Sequence, residues 1–149
     1  MTYFGIRRAK LALAGLLLLI VGMTILADSG HGRAFFAMIQ RIPGGDKLGH
    51  FALFGPLSFL INLLWRGSEF RIGPARVLRG SLLLAILVVL EECSQKFFPT
   101  RTFDLKDLAA DFLGIFIFGR LARHYLAAQR SACRPALIRS PASHASRPR

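Results

Sequence analysis

Between Glu91 and Gly114 the chain reads EECSQKFFPTRTFDLKDLAADFLG, so five carboxylates, Glu91, Glu92, Asp104, Asp107 and Asp111, stand beside runs apolar enough for lipid. A carboxylate within a membrane span costs about 2.5–3.5 kcal/mol even on the lenient insertion scale, so an acid placed there is by default a sign of function. Asp46, from an earlier segment, joins the group if the topology brings it near. Of the 8 acidic residues, only Asp28 and Glu69 would then lie elsewhere.

The spacings suggest what these groups could do. Glu91 and Gln95 are one helical turn apart, as are Glu92 and Lys96. The second pair reads as an ion pair at a membrane edge, its lysine stem reaching for the headgroups. Glu91, whose only local companion is an amide, needs a partner from another helix, and Arg101 or His50 could supply it. Asp104, Asp107, Asp111 and Gly114 follow steps of three, four and three, which align them on one helical face. Asp104 also has the position of a helix N-cap, with Asp107 completing a capping box, while Asp111 lies a turn too deep for capping. His50 near several carboxylates could exchange protons with them. Lys47 and Arg101 could hold an anionic group, and clustered carboxylate oxygens could hold a divalent cation, whose identity the spacing does not specify. The candidate catalytic set is therefore His50, Glu91 and Asp107. The candidate binding set is Lys47, Gln95, Arg101, Asp104 and Asp111. No zinc-ligand spacing, phosphate-cradling glycine loop or serine nucleophile motif occurs in the sequence.

These side chains need elements to carry them. With 53% hydrophobic residues and a mean hydropathy of +0.46 over 149 residues, the composition is too apolar for an ordinary soluble domain. Leu11 to Ala27 approaches the roughly 20 residues that cross a bilayer. A cleaved signal peptide is the rival reading, but Ile25-Leu26-Ala27 is a poor cleavage site. Asp28 to Lys47 reads as a polar loop with a short interfacial helix around Phe35-Phe36, closed by Pro43-Gly44-Gly45. Leu48 to Trp65 is a second span, with a kink expected at Pro56. After a basic loop from Arg66 to Arg79, a third span begins near Val77 and ends at Phe97-Phe98-Pro99. A fourth runs from Asp107 to Leu126, where Gly114 and Gly119 permit close helix contact. Residues 1–128 thus form one all-α domain, a four-helix transmembrane bundle, and residues 129–149 a disordered basic tail. Cys93 and Cys133 suggest no disulfide framework.

Four crossings put both termini on one side. Of the 20 Lys and Arg residues, all but Arg33, Arg41, Lys47, Lys96, Arg101 and Lys106 share that side, which the positive-inside rule makes the cytoplasm. The start of span two, the end of span three and the start of span four then share the outward end of the bundle. The net charge of +12 is dispersed between apolar runs rather than gathered in a stripe. It points to membrane lipids as partners and not to nucleic acid.

Asp46-Lys47-Leu48-Gly49-His50-Phe51 with Phe54, then Glu91 and Gln95, then Arg101, Asp104, Asp107 and Gly114, resemble the VanZ-like family, named for a membrane protein associated with teicoplanin resistance. The resemblance spans Asp46 to about Gly119, and this chain has Asp111 where the family often has Asn. It implies a four-helix fold in the bacterial cytoplasmic membrane and a link to the cell envelope or glycopeptide resistance, without fixing a reaction. One expectation is a site for a lipid-linked or phosphate-bearing envelope precursor at the outer leaflet. Lys47 and Arg101 would hold the anion, His50 and Glu91 would move protons, and Asp107 with Asp111 would position a cation or the substrate. The other is a non-catalytic protein whose polar cluster fastens the helices, within a homo-oligomer or larger assembly. A proton-coupled transporter of four spans per chain would require a dimer.

Overall fold

The structure, a computed structural model, describes residues 3–98 and 103–133. Among the described residues five helices dominate: α1 (Tyr3–Asp28), α2 (Arg33–Gln40), α3 (Gly45–Leu64), α4 (Arg79–Ser94) and α5 (Leu105–Cys133). A single 3-10 turn, Gln95–Phe97, follows α4. Strands β1 (Glu69–Ile72) and β2 (Ala75–Leu78) form an antiparallel hairpin between α3 and α4.

Helices α3 and α5 share the most extensive interface and run in the same direction. Lys47 at the start of α3 meets Asp107 at the start of α5, and Ser58, further along, meets the Ile115 carbonyl. Glycines let the two backbones approach. A Cβ on Gly114 would lie 3.0 Å from the Phe51 carbonyl oxygen, and one on Gly55 would lie 2.6 Å from the Phe118 ring. Gly119 plays the same part toward α4, where a Cβ would sit 2.6 Å from Ser81 Oγ. The small residues expected to allow close contact do so. Helix α4 runs opposite to α3 and α5, since Ser81 near its start meets Ser58 and Glu92 near its end meets the residue preceding α5. Helix α1 is likewise opposed, its Ala9 packing with Leu63 and Leu126 at the far ends of α3 and α5.

The interior is layered. Phe54, Leu57, Leu84, Val88 and Ile115 form an apolar layer, with Leu13, Leu16 and Ile20 of α1 packed on it. Toward the starts of α3 and α5 lies a charged cluster. On the other side of the layer, Ser58, Asn62 and Ser81 form a small hydrogen-bonded group: Asn62 Nδ2 donates to the Ser58 carbonyl and to Ser81 Oγ, each at 2.8 Å. The outside is apolar, with Leu11, Leu18 and Ile25 on α1, Ile86 and Leu90 on α4, and Leu113 and Phe116 on α5 all exposed. Buried polar groups under a greasy exterior invert the usual distribution of a water-soluble protein.

Among the described residues, two helical stretches, Gly5–Asp28 and Gly45–Leu64, are long and apolar enough to cross a membrane. Helix α4 has 16 residues, about 24 Å at 1.5 Å per residue, short of a hydrocarbon core of about 30 Å. The third span was expected to begin near Val77, but Ala75–Leu78 is committed to the hairpin instead. That hairpin departs from an all-α fold. It turns at Gly73-Pro74, where Gly73 has φ 59°, the positive value that a two-residue hairpin turn demands at its first central position. Helix α3 is continuous through Pro56. Helix α5 continues past Leu126 to Cys133, and Arg130 Nη2 donates to the Arg66 carbonyl at 2.8 Å, tying its last turns to the loop after α3. The remainder of the expected tail lies outside the described residues.

Candidate functional site

The charged cluster is assembled from three segments that converge because α3 and α5 start, and α4 ends, at the same end of the bundle. Lys47 sits at its rim. Its Nζ lies 2.6 Å from Asp46 Oδ2, 3.1 Å from Asp104 Oδ2 and 2.9 Å from Asp107 Oδ1. Those three carboxylates lie within 4.8 Å of one another, close enough to hold a metal ion, and the ammonium stands among them. Lys47 was expected to hold an anion. In the structure its charge is directed at three carboxylates of its own chain.

One turn deeper, His50 bridges two acids. Its Nδ1 is 3.1 and 3.2 Å from the two oxygens of Asp111, and its Nε2 is 3.9 Å from Asp107 Oδ2. The ring stacks on Phe54, one turn further along α3, at a centroid distance of 6.2 Å. Asp111 is only 1% exposed and is too deep for capping, as its position in the sequence suggested. Asp107, His50 and Asp111 thus form a line from the mouth inward to the apolar layer, suited to holding or moving a proton.

Helix α4 contributes an unexpected arrangement. Glu92, read from the sequence as an edge ion pair with Lys96, is fully buried, and Lys96 lies over the Phe103 ring, 4.5 Å from its centroid. Glu92 Oε1 accepts the Asp104 backbone N–H at 2.7 Å, and its Oε2 accepts from Gln95 Nε2 at 2.8 Å. Asp104 is an N-cap as expected, its Oδ1 accepting the Lys106 N–H at 2.8 Å. The reciprocal bond of a capping box, however, comes from Glu92 on another helix rather than from Asp107. Asp107 is thereby left for Lys47 and His50. The Lys106 amide first, and then the Lys47 ammonium, hold the Asp104 carboxyl below the ordinary carboxylate range. Glu91 is half-buried and accepts from Gln95 Nε2 at 3.0 Å, the one-turn contact its spacing predicted.

Beside the cluster lies a cavity of about 430 Å³. Asp46, His50, Glu91, Gln95, Asp104 and Asp107 supply its polar lining. The apolar lining is drawn from Ile20, Met23 and Ala27 of α1, Phe36, Ala37 and Ile39 of α2 and Leu53 and Phe54 of α3, and Thr24, Arg33 and Gln40 add polar points. The short helix expected near Phe35-Phe36 is α2, and it contributes to this lining.

Of the sequence-predicted residues, the structure therefore brings together Lys47, His50, Glu91, Gln95, Asp104, Asp107 and Asp111. Arg101 lies outside the described residues. Sequence reasoning undervalued Glu92 and passed over Thr24, Arg33 and Gln40. The apolar run before Glu91 marks no face of α4, so nothing local says which of two adjacent acids turns inward.

No curated protein and no solved structure matches the chain. A family model described as VanZ/LLP1 matches residues 8–125, a stretch that includes every residue of this cluster and cavity, and the chain therefore belongs to the VanZ/LLP1 family.

Proposed function

We propose that this chain is a multi-pass protein of the bacterial cytoplasmic membrane, with α1, α3, α4 and α5 crossing and both termini cytoplasmic. Its acidic mouth faces outward and takes the headgroup of a lipid-linked envelope component, a reading in keeping with the link of the VanZ family to glycopeptide resistance. Apolar residues exposed along the helices support the membrane reading. The short α4 is compatible with it, because 16 α-helical residues and the 3-10 turn together rise about 30 Å.

The observation that carries the binding reading is the mixed lining of the cavity: apolar side chains of α1, α2 and α3 share it with a set of hydrogen-bonding groups, the combination an amphiphile requires. The polar lining holds more acid than base. It suits the hydroxyl, amide or ammonium groups of such a headgroup, while a phosphate on the same molecule would be met by Arg33. His50, between Asp107 and Asp111, is the group placed to take up or release a proton.

A second reading has its own support. Lys47, His50 and Glu92 each satisfy polar atoms of other segments, so the cluster could serve only to fasten three helices. Glu91→Gln and Arg33→Gln separate the two, because both line the cavity. Membrane abundance and teicoplanin tolerance are measured side by side in cells expressing each variant. Normal abundance with lost tolerance supports the site; tolerance that simply tracks abundance supports the fastener and defeats the site.

A further inference from the structure

At the opposite end of the bundle, the hairpin, the loop before it and the last turns of α5 line a second, open hollow of about 360 Å³. Gly67, Leu126 and Ala127 give it a small apolar lining, and Arg76, Arg123 and Arg130 line it with positive charge against the acid Glu69. The backbone turns sharply beside it. Arg66 and Gly67 both have positive φ, 54° and 66°, and a Cβ on Gly67 would lie 3.0 Å from Leu126 Cδ1. A positive φ at a residue other than glycine persists only where its surroundings hold it. Here the Arg66 carbonyl accepts from Arg130 Nη2.

The three guanidinium groups are oriented but not saturated. Arg123 Nη2 lies 3.2 Å from Glu69 Oε1 and donates to the Arg76 carbonyl at 3.1 Å. Arg76 Nη1 stands 4.0 Å from Glu69 Oε2. A guanidinium has five N–H donors, so each retains several for a further acceptor, and its planar fork matches the oxygens of a phosphate. Glu69 offsets one charge and steadies Arg123.

We propose that this cavity binds a phosphate group, carried by an anionic phospholipid whose glycerol and first methylenes pack on Leu126 and Ala127. The lipid source rests on the membrane reading above, under which this end lies at the cytoplasmic surface; the phosphate chemistry does not. An acidic mouth and a phosphate-binding foot would then fix the protein's depth and direction in the bilayer.

The test uses the full chain purified in neutral detergent, with phosphatidylglycerol, phosphatidylcholine and inorganic phosphate as separate probes. Retained lipid is counted by native mass spectrometry, and the unfolding midpoint is recorded with each probe. Phosphatidylglycerol is expected to bind at least tenfold more tightly than phosphatidylcholine, and Arg76→Gln with Arg130→Gln to remove that preference. Arg71→Gln, on the hairpin but outside the cavity, is expected to keep it. Protection by inorganic phosphate that the same pair of substitutions abolishes upholds the phosphate site with a soluble source, and would leave the lipid-linked reading of the other end untouched. Equal binding of the two lipids without phosphate protection, or equal losses in Arg71→Gln and the cavity variant, overturns the proposal. Arg76→Gln alone, at an exposed side chain, provides the reading if the pair of substitutions lowers folding.

Discussion

Replacing His50 with leucine removes the imidazole from the line Asp107–His50–Asp111 and leaves the Asp111 carboxylate, 1% exposed, facing an apolar side chain. Breaking a buried pair from one side costs about 3–5 kcal/mol, because the remaining charge keeps its desolvation penalty and loses its partner. For a chain of this length that corresponds to a fall in the unfolding midpoint of roughly 6 °C or more. Replacing both partners, His50→Leu with Asp111→Leu, removes the stranded charge as well, and buried pairs exchanged for apolar residues of similar volume are often neutral. The order expected from thermal unfolding in detergent is therefore wild type close to the double variant, with His50→Leu well below both. Teicoplanin tolerance should be lost in both variants, including the stable one, if the proton-bearing line is used in function. Should His50→Leu melt no lower than the double variant, Asp111 does not depend on the imidazole, and the reasoning about this pair fails.

Lys47→Met should leave Asp46, Asp104 and Asp107 repelling one another; its midpoint should rise on adding millimolar magnesium or calcium, whereas the wild-type midpoint should scarcely move. Gly114→Leu should push α3 and α5 apart, since even a Cβ there would lie 3.0 Å from the Phe51 carbonyl oxygen, and a loss of about 1–3 kcal/mol should be read by denaturant or thermal unfolding. Asp104 is stabilised as the carboxylate in the folded chain, so its contribution is present above the unfolded value of 3.8 and lost as pH falls through the lower folded value. Unfolding midpoints followed downward from pH 5 should decline, and Asp104→Ala should flatten part of that decline.

Much of the site was legible because helical spacing is a local property. Steps of three and four placed Asp104, Asp107 and Asp111 on one face, and the Glu91–Gln95 turn contact followed from the same geometry. The alternating course of the chain brought His50 to the same end as these acids. Glu92 was misread because Ser81 to Leu90 is almost uniformly apolar, and a helix without a polar stripe does not announce its inward side. The hairpin was missed because Glu69–Ile72 and Ala75–Leu78 carry arginines within a segment whose basic character reads equally well as a loop.

By itself the sequence determined where the long helices lie, though not their ends, which end of each carries charge, and where glycine permits contact, because these follow from hydrophobic runs and neighbours a turn apart. Tertiary structure alone decided how the charges are spent. Lys47 meets Asp104 and Asp107 across separations of 57 and 60 residues, and Glu92 caps α5 from another helix. The helix rotations that settle such pairings come from packing across the whole bundle, to which no single stretch of chain has access.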